Sequence, residues 1–305
     1  MTDLTGIAAR HSADRHFADR LSELQSFWSP APDMPEETSE TVLKALWLAA
    51  AGHPTSAVRA ASLPLPDLDA AAQARLSALF ARKRAGEPLA HLTGRQDFLG
   101  LELLAGPEAL IARKETEILA RAALGKLKAM TGQELVVLEP CTGSGNVALA
   151  LAAGEPRARI FASDLSPEAV GLARRNLEVT VAVHVEFRVG DLLSPFEEER
   201  FQGRADLVAC NPPYISSAKV PDRPNAIARE PSMAFDGGPF GVSILMKLIK
   251  QAPRFLKPGG WLCFEAGLGQ GEPMVKQLRR STDYDLVETA CDEAGAVRAL
   301  LARRA

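Results

Sequence analysis

The sequence is poor in the residues that build metal sites and disulfide networks. Only four cysteines and five histidines occur among its 305 residues. The cysteines lie far apart and form no Cys-x-x-Cys pair, and the histidines are scattered without the spacing of metal ligands. Zinc sites need clustered ligands, and disulfide-rich folds need paired thiols. We therefore predict no metal site, and free thiols of the kind found in the reducing cytoplasm.

The chain also lacks long apolar runs and an excess of charge of one sign. No stretch reaches the roughly 18 consecutive apolar residues that a membrane-spanning helix needs. The first residues, MTDLTGIAARHSADRHF, carry scattered charges and do not resemble a secretory signal. Acidic and basic residues nearly balance, at a formal net charge of −3. These absences predict a cytoplasmic protein that does not bind membranes, and they argue against nucleic acid as a partner.

Apolar residues, in contrast, are plentiful enough to fill a sizeable core. They make up 47% of the sequence, which suits one large domain and a smaller one. Residues 1–90 are rich in Ala, Leu and Arg with helical apolar spacing, and prolines divide them into three or four predicted short helices. Apolar runs broken by glycines over residues 91–114 predict a β-hairpin that connects this region to the rest.

From about residue 115 the pattern changes to alternating strands and helices. Five short strand-like runs end mostly in Pro, Asp or Gly, with helical stretches predicted at 145–153, 166–178 and 241–256. This alternation predicts an α/β domain over 115–305 with a Rossmann-like, mostly parallel sheet. Residues 284–304 indicate two further strands joined by a turn without room for a crossover helix. The predicted seven-stranded sheet therefore ends in an antiparallel hairpin.

The first candidate binding element is a glycine-rich turn in LEPCTGSGNVALALA, residues 138–152. Gly143 and Gly145 allow a sharp turn and the close approach of a ligand, and the following helix offers free backbone amides. Asp164 ends the next strand about twenty residues later, where a nucleotide-binding unit places a carboxylate that accepts from ribose hydroxyls. Asp191 follows the third strand. Together these residues predict a nucleotide-containing cofactor at one edge of the sheet.

Each of these features also has a structural explanation without a ligand. A turn of small residues can simply connect a strand to a helix, and Asp164 can cap the helix that begins near Ser166. A dinucleotide enzyme would share the same geometry. The position three after Gly145 is Ala148, however, so the glycine pattern of dinucleotide-binding proteins is incomplete.

The tetrapeptide Asn211-Pro212-Pro213-Tyr214, at the end of the fourth strand, indicates the chemistry. Two consecutive prolines stiffen an extended loop that carries Asn211 beyond the strand. The Asn211 side-chain oxygen and the Pro212 carbonyl oxygen are acceptors that would hold a substrate NH2 for in-line attack on a sulfonium methyl group. Tyr214 is expected to stack on a planar acceptor group. The tetrapeptide therefore predicts methyl transfer to a planar nitrogen without a metal.

At these residues the sequence resembles class I S-adenosylmethionine-dependent methyltransferases with an Asn-Pro-Pro-Tyr motif. Over residues 80–305 it resembles the release-factor glutamine N5-methyltransferases. The motifs that carry the second likeness are Gly86-Glu87-Pro88, Gly94, Phe98, Gly100, Arg113, Glu115-Thr116-Glu117, Glu230-Pro231, Gly237-Gly238, Gly241, Gln270, Asp292, Gly295 and Arg298. The resemblance implies S-adenosylmethionine as cofactor and a peptide-chain release factor as protein substrate, methylated on the glutamine of a Gly-Gly-Gln loop. It also implies that the helical region recognises this substrate.

The resemblance assigns roles to individual residues. The cofactor residues that it implies are Glu139, Thr142, Gly143, Gly145, Asp164, Asp191 and Asn211. The substrate residues are Asn211, Pro212, Pro213 and Tyr214, with Arg113 and Glu117 near the substrate entrance. Two departures stand out, since Cys141 replaces a glycine of the first motif, and Ala112 and Lys114 replace two prolines around Arg113.

Other functions use the same arrangement of residues. A paralogue with this cofactor site and nitrogen clamp would methylate a small molecule, a peptide natural product or an RNA base. A basic surface on the helical region would indicate the RNA substrate. A non-enzymatic cofactor-binding module is a further alternative, but such a module has no use for an intact Asn-Pro-Pro-Tyr clamp.

Overall fold

The computed structural model describes residues 4–31, 33–180, 184–221 and 229–305, with side chains described from Arg15 onwards. The chain divides into two compact units, Met1–Asp97 and Phe98–Ala305. The described helices are α1 (Leu4–Gln25), α2 (Ser39–Ala50), α3 (Ala57–Ala60), α4 (Ala70–Arg84), α5 (Leu89–Thr93), α6 (Lys114–Ala129), α7 (Asn146–Gly154), α8 (Pro167–Val179), α9 (Ser243–Phe255) and α10 (Gly271–Arg280). The described strands are β1 (Arg95–Phe98), β2 (Leu101–Leu104), β3 (Leu135–Pro140), β4 (Ala158–Asp164), β5 (Val185–Val189), β6 (Ala205–Cys210), β7 (Leu256–Glu265), β8 (Tyr284–Cys291) and β9 (Val297–Arg304).

The described residues of the first unit are mainly helical up to residue 93. They form five helical segments, where the sequence predicts three or four short helices, and α1 alone runs for 22 residues because no proline interrupts it. Leu46 and Phe80 lie in the core of this unit. The predicted β-hairpin is present as β1 and β2, whose turn has positive φ angles of 52° at Leu99 and 82° at Gly100, as in a type I′ hairpin turn.

The second unit is built on the predicted seven-stranded sheet. Its strand order is β5-β4-β3-β6-β7-β9-β8. Strands β3 to β7 pair in parallel, and β8 and β9 form the predicted antiparallel end of the sheet. The predicted helical stretches correspond to α7, α8 and α9. The sequence reading did not identify α6 and α10 as helices, although α6 packs in the larger part of the core.

Alternating side chains along the central strands build a core on each face of the sheet. In β6, Leu207 and Ala209 pack with residues of α6, α7 and α8, whereas Val208 and Cys210 pack with residues of α9 and α10. Fully burying a leucine contributes roughly 1.5–3 kcal/mol, so these two layers hold the sheet rigidly between helices.

The parallel strands bring their carboxyl ends to one edge of the sheet. Because the chain moves outward from β3 to β4 and then returns to β6 on the other side of β3, the crevice beyond β3 and β6 is a topological switch point. The glycine-rich turn follows β3, and Asn211 follows β6. The fold therefore places the two sequence motifs on neighbouring strands. Among the described residues, no helix is both long and apolar enough to cross a membrane.

Candidate active site

A cleft of about 1070 Å³, including its open mouth, lies at this edge of the second unit. The residues that line it include Arg113, Thr116, Glu139, Cys141, Thr142, Gly143, Asp164, Asp191, Asn211, Pro213 and Met233. Most of the residues predicted from the sequence are thus brought together. Gly145, Pro212, Tyr214 and Glu117 are not among the described residues that line the cleft.

Two neighbouring carboxylates, Glu139 and Asp164, line the cleft. Only 1% of Glu139 is exposed, and its carboxylate accepts a hydrogen bond from the Thr142 hydroxyl. Burial raises the pKa of Glu139 well above its ordinary value, the Thr142 hydrogen bond opposes this rise, and the negative charge of Asp164 adds to it. Burial also raises the pKa of Asp164. A cationic group bound beside them would relieve this unfavourable accumulation of negative charge.

The glycine-rich turn is held against Asp164 by backbone hydrogen bonds. The Gly143 amide donates to Asp164 over 2.8 Å, and the Ser166 amide donates to the same carboxylate over 3.0 Å. A Cβ built at Gly143 would meet no atom within 4 Å, so space for a ligand is open there. Gly145 differs, because its Cβ would lie 3.1 Å from both Ala173 and Phe187. Gly145 is therefore needed for close packing behind the turn.

Cys141 occupies a position of the glycine-rich turn at which the release-factor glutamine N5-methyltransferases have glycine. Cys141 has a φ of 61°, in the left-handed region that glycine adopts without steric cost. The next residue, Thr142, donates its amide to the Ser163 carbonyl over 2.9 Å, which ties the turn to β4. The backbone thus keeps the glycine-like conformation despite the cysteine side chain.

Asp191 reaches the rim of the cleft but is already paired. Its carboxylate forms an ion pair with Lys247 of α9. About half of each side chain is exposed, so this pair is weak and a ligand can compete with it. The sequence places Asp191 at a strand end but gives no sign of Lys247, which is 56 residues away.

The Asn211 amide has a defined partner inside the cleft. Its Nδ2 donates to the Thr116 hydroxyl over 3.0 Å. Thr116 lies in the first turn of α6 and is buried. This hydrogen bond assigns the nitrogen of the Asn211 amide to Thr116, and the side-chain oxygen stays available as an acceptor.

The remainder of the tetrapeptide is anchored to the ends of β7 and α10. Pro212 is buried, and the Tyr214 hydroxyl donates to Glu265 at the end of β7 over 3.0 Å. Burial and the negative charge of Glu265 raise the pKa of Tyr214 above its ordinary value. The stacking of Tyr214 on a substrate stays a prediction.

Gln270, at the start of α10, connects three loops around the tetrapeptide. Its Nε2 donates to the carbonyl oxygens of Tyr214 over 3.0 Å and Gly241 over 3.1 Å. Its Oε1 accepts from the Gly267 amide over 2.9 Å. One side chain thus fixes the loop after β6, the loop before α9 and the loop after β7. Gln270 is one of the residues that carry the family resemblance, but the sequence alone did not predict a role for it.

Arg113 and Glu117 occupy the start of α6 in different ways. Arg113 lines the cleft and forms a buried ion pair with Glu230, which also accepts from the Ile111 amide over 2.7 Å. Glu117 accepts from Lys114 over 2.7 Å and from the Leu99 amide over 3.3 Å, and so ties the hairpin turn to the helix. Burial alone would raise the pKa of Glu117, but these hydrogen bonds and charges lower it overall.

Thr116 and Glu265 are the site residues that sequence reasoning missed. Glu265 ends a parallel strand, as Asp164 does, so the same rule of strand ends would have identified it. Thr116 lies within Glu115-Thr116-Glu117, but nothing in the sequence indicates that it meets Asn211. Among the described residues, no group of three or more His, Cys, Asp or Glu side chains is arranged to hold a metal ion.

Known proteins with a similar sequence or fold define the class of the protein. A family model described as a methyltransferase domain matches residues 132–300, more than half of the chain. The fold is shared with the hMettl16 catalytic domain, solved in complex with MAT2A 3'UTR hairpin 1. That likeness has a TM-score of 0.53 and 16% sequence identity over 73% of this chain and 80% of that one. The protein is a methyltransferase.

Curated relatives narrow the class to one family. The release factor glutamine methyltransferase of Moorella thermoacetica is 37% identical over 240 residues, which cover 78% of this chain and 82% of that protein. The one from Streptomyces coelicolor is 39% identical over 208 residues, covering 68% and 72% respectively. The chain belongs to the release factor glutamine methyltransferase family, and its methyl donor is S-adenosylmethionine.

The cleft fits this donor chemically. S-adenosylmethionine carries a sulfonium and an ammonium group, and ionised Glu139 and Asp164, which both line the cleft, would supply the opposite charge. The Asp164 carboxylate would also provide acceptors for ribose hydroxyls. The open space beside Gly143 allows a ligand to approach the backbone closely.

Proposed function

We propose that this protein methylates the side-chain nitrogen N5 of a glutamine in a peptide-chain release factor. The support for this substrate is the identity of the curated relatives, which are release factor glutamine methyltransferases. The observation that carries the chemistry is the hydrogen bond from Asn211 to Thr116, because it leaves the Asn211 oxygen free to accept from a substrate NH2 group.

Glutamine is a difficult nucleophile because the nitrogen lone pair is delocalised over the amide. The Asn211 oxygen and the Pro212 carbonyl oxygen would each accept one hydrogen of the substrate NH2 group, which orients the nitrogen and favours its pyramidal form. The bound cofactor supplies a methyl group on a positively charged sulfur, an electrophile that leaves a neutral thioether. Transfer would form a nitrogen–carbon bond as the sulfur–carbon bond breaks, and the extra proton would leave the nitrogen to water.

The remaining site residues are proposed to hold the reactants in line. Glu139, Thr142 and Asp164 would hold the polar groups of the cofactor, with Asp191 at the rim of the cleft. Arg113 would contact the peptide near the entrance, where its pairing with Glu230 fixes the position of its guanidinium. Bringing two reactants into such a geometry supplies a large part of the acceleration of a bimolecular reaction.

The helical region, predicted from the sequence as residues 1–90, is proposed to recognise the release factor. The hairpin region 91–114 connects it to the methyltransferase domain in this proposal. We also propose a cytoplasmic location, supported by the absence of disulfide bonds among the four cysteines, all of which lie in the described residues.

The substrate is tested by incubating the protein with methyl-labelled S-adenosylmethionine and purified release factors. Mass spectrometry of the Gly-Gly-Gln peptide should show one added methyl group on the glutamine. Asn211→Ala should abolish the product, and calorimetry measures separately whether the variant still binds the cofactor. Absence of the methyl group from the release factor, despite cofactor binding, would disprove this substrate and direct the search to RNA, peptides and small molecules.

A further inference from the structure

A series of buried polar side chains leads from Asn211 into the protein interior. Thr116, which accepts from Asn211, is 1% exposed, and its hydroxyl approaches the Glu265 carboxyl, which is also 1% exposed. The Tyr214 hydroxyl donates to Oε1 of Glu265. Oε2 of Glu265 is buried and has no hydrogen-bond partner of ordinary geometry among the described residues. Glu265 therefore offers one further acceptor next to Thr116.

We propose that Glu265 and Thr116 are positioning residues that determine which end of the Asn211 amide faces the methyl acceptor. A carboxylate can only accept hydrogen bonds. Ionised Glu265 therefore accepts a hydrogen bond from the Thr116 hydroxyl, which has a single proton to donate. The Thr116 oxygen is then left to accept from Asn211 Nδ2. Asn211 Oδ1 consequently faces the substrate. This inference rests on the proposed function, in which Asn211 holds the substrate nitrogen.

Protonation of Glu265 reverses this order. A carboxylic acid can donate to Thr116, and the Thr116 proton is then free to point at Asn211. The Asn211 amide can rotate so that its oxygen accepts this proton and its NH2 group faces the cleft. An NH2 group cannot accept from the NH2 group of a glutamine. Whenever the amide has rotated in this way, the nitrogen clamp lacks its Asn211 acceptor.

The surroundings of Glu265 place this change near neutral pH. Burial raises the pKa of Glu265 to about 7, the nearby hydroxyls of Thr116 and Tyr214 oppose the rise, and the charge of Glu115 adds to it. The positive charge of Arg298 in β9 lowers the pKa of Glu265. Arg298 also forms an ion pair with Glu115 at 3.4 Å. The clamp is thus expected to assemble as the pH rises through about 7.

Four variants test the proposal through the pH dependence of kcat. Wild-type kcat for release-factor methylation should rise with an ionisation near pH 7. Glu265→Gln and Thr116→Val should lower kcat about 10-fold to 100-fold, with smaller changes in KM, and should lose this ionisation. The kcat of the double variant should be no lower than that of the poorer single variant, because both substitutions interrupt the same contact between Glu265 and Thr116. Thr116→Ser retains the hydroxyl and should keep the wild-type pH profile.

Tyr284→Phe serves as the matched control for a purely structural effect. The Tyr284 hydroxyl is buried and donates to the Ile249 carbonyl over 2.8 Å on the opposite face of the sheet from α6. Its removal should lower stability without changing kcat or the pH profile. If Glu265→Gln retains the wild-type ionisation, or if Thr116→Ser behaves like Thr116→Val, the proposed positioning role is wrong.

A spectroscopic measurement separates this proposal from the proposed substrate. The side-chain NH2 signals of Asn211, assigned by their loss in Asn211→Asp, should shift with a midpoint near pH 7 in the cofactor-bound wild type. They should not shift in Glu265→Gln. If the wild type fails to methylate any release factor, the substrate proposal fails, whereas this titration still decides the role of Glu265. An Asn211 signal that ignores pH in the wild type overturns the positioning role.

Discussion

The backbone amide of Gly143 donates to the carboxylate of Asp164 over 2.8 Å, so the glycine-rich turn and the end of β4 hold each other in place. The carboxylate thus has two tasks, since it shapes the turn and faces the cleft where a cofactor would bind. A substitution that keeps its shape should therefore differ from one that removes the side chain.

Asp164→Ala is expected to weaken binding of S-adenosylmethionine about 100-fold, because it removes both the charge and the anchor of the turn. Asp164→Asn keeps an acceptor oxygen and should weaken binding only about 10-fold. Isothermal titration calorimetry measures both affinities. Equal affinities for the two variants would show that the carboxylate acts through charge alone.

The two glycines of the turn should respond differently to alanine. Gly145→Ala forces a Cβ to within 3.1 Å of Ala173 and Phe187 at a φ of 82°, and should cost about 2 kcal/mol of stability. In Gly143→Ala the new Cβ meets no protein atom within 4 Å, so the positive φ alone should lower stability, by about 1 kcal/mol. Gly143→Ala should lower cofactor affinity more than Gly145→Ala does, because its Cβ points into open space. Urea unfolding and calorimetry separate the two effects. The reverse order of stabilities would contradict the packing role of Gly145.

Glu265 should make the folded protein less stable as the pH rises. Its pKa is about 7 in the folded state, against an ordinary value of 4.5. Between these values the folded state binds the proton more tightly than the unfolded state, so its stabilising contribution is fully present below about pH 4.5 and lost by about pH 7. Glu265→Gln should therefore be more stable than the wild type by about 3 kcal/mol at pH 8, with little difference near pH 4.5. Urea unfolding at the two pH values measures this difference, and equal stability at pH 8 would contradict it.

Gln270→Glu should loosen the loops that hold the Asn-Pro-Pro-Tyr tetrapeptide. A carboxylate cannot donate to the carbonyl oxygens of Tyr214 and Gly241, and its charge would lie against them. We expect kcat to fall about 10-fold with nearly unchanged cofactor affinity. Gln202→Glu is the matched control, because it removes a similar donation to a backbone carbonyl, that of Glu197, at an exposed position. Equal kcat losses in the two variants would argue against the loop-fixing role of Gln270.

The fold and half of the site follow from local patterns in the sequence. Strands β3 to β7 are apolar runs, most of which stop at or next to Pro, Asp or Gly, and the carboxyl ends of parallel strands meet at one edge. This rule is enough to bring Asp164 and Asn211 together. Helix α6 could also have been predicted, because it has acidic residues in its first turn, basic residues in its last turn and buried residues at helical spacing.

Contacts between distant residues could not be predicted in the same way. Arg113 pairs with Glu230 across 117 positions, and Asn211 meets Thr116 across 95. Such pairs depend on how α6 packs against the sheet, which no local spacing determines. At Gly145 the local pattern suggests a different reason for the residue than the structure does. Its spacing predicts a glycine that contacts a ligand, whereas the structure shows that a side chain there would crowd Ala173 and Phe187.

The adjacency of β3 and β6 has a consequence for how this enzyme can vary. Neighbouring strands of a sheet lie roughly 4.8 Å apart wherever they pair, whatever residues they carry. The turn proposed to bind the methyl donor continues one of these strands, and the clamp proposed to hold the acceptor continues the other. Backbone pairing in the protein interior therefore sets the distance between the bound methyl donor and its acceptor. The outer loops can change in sequence to accept new substrates without altering this distance.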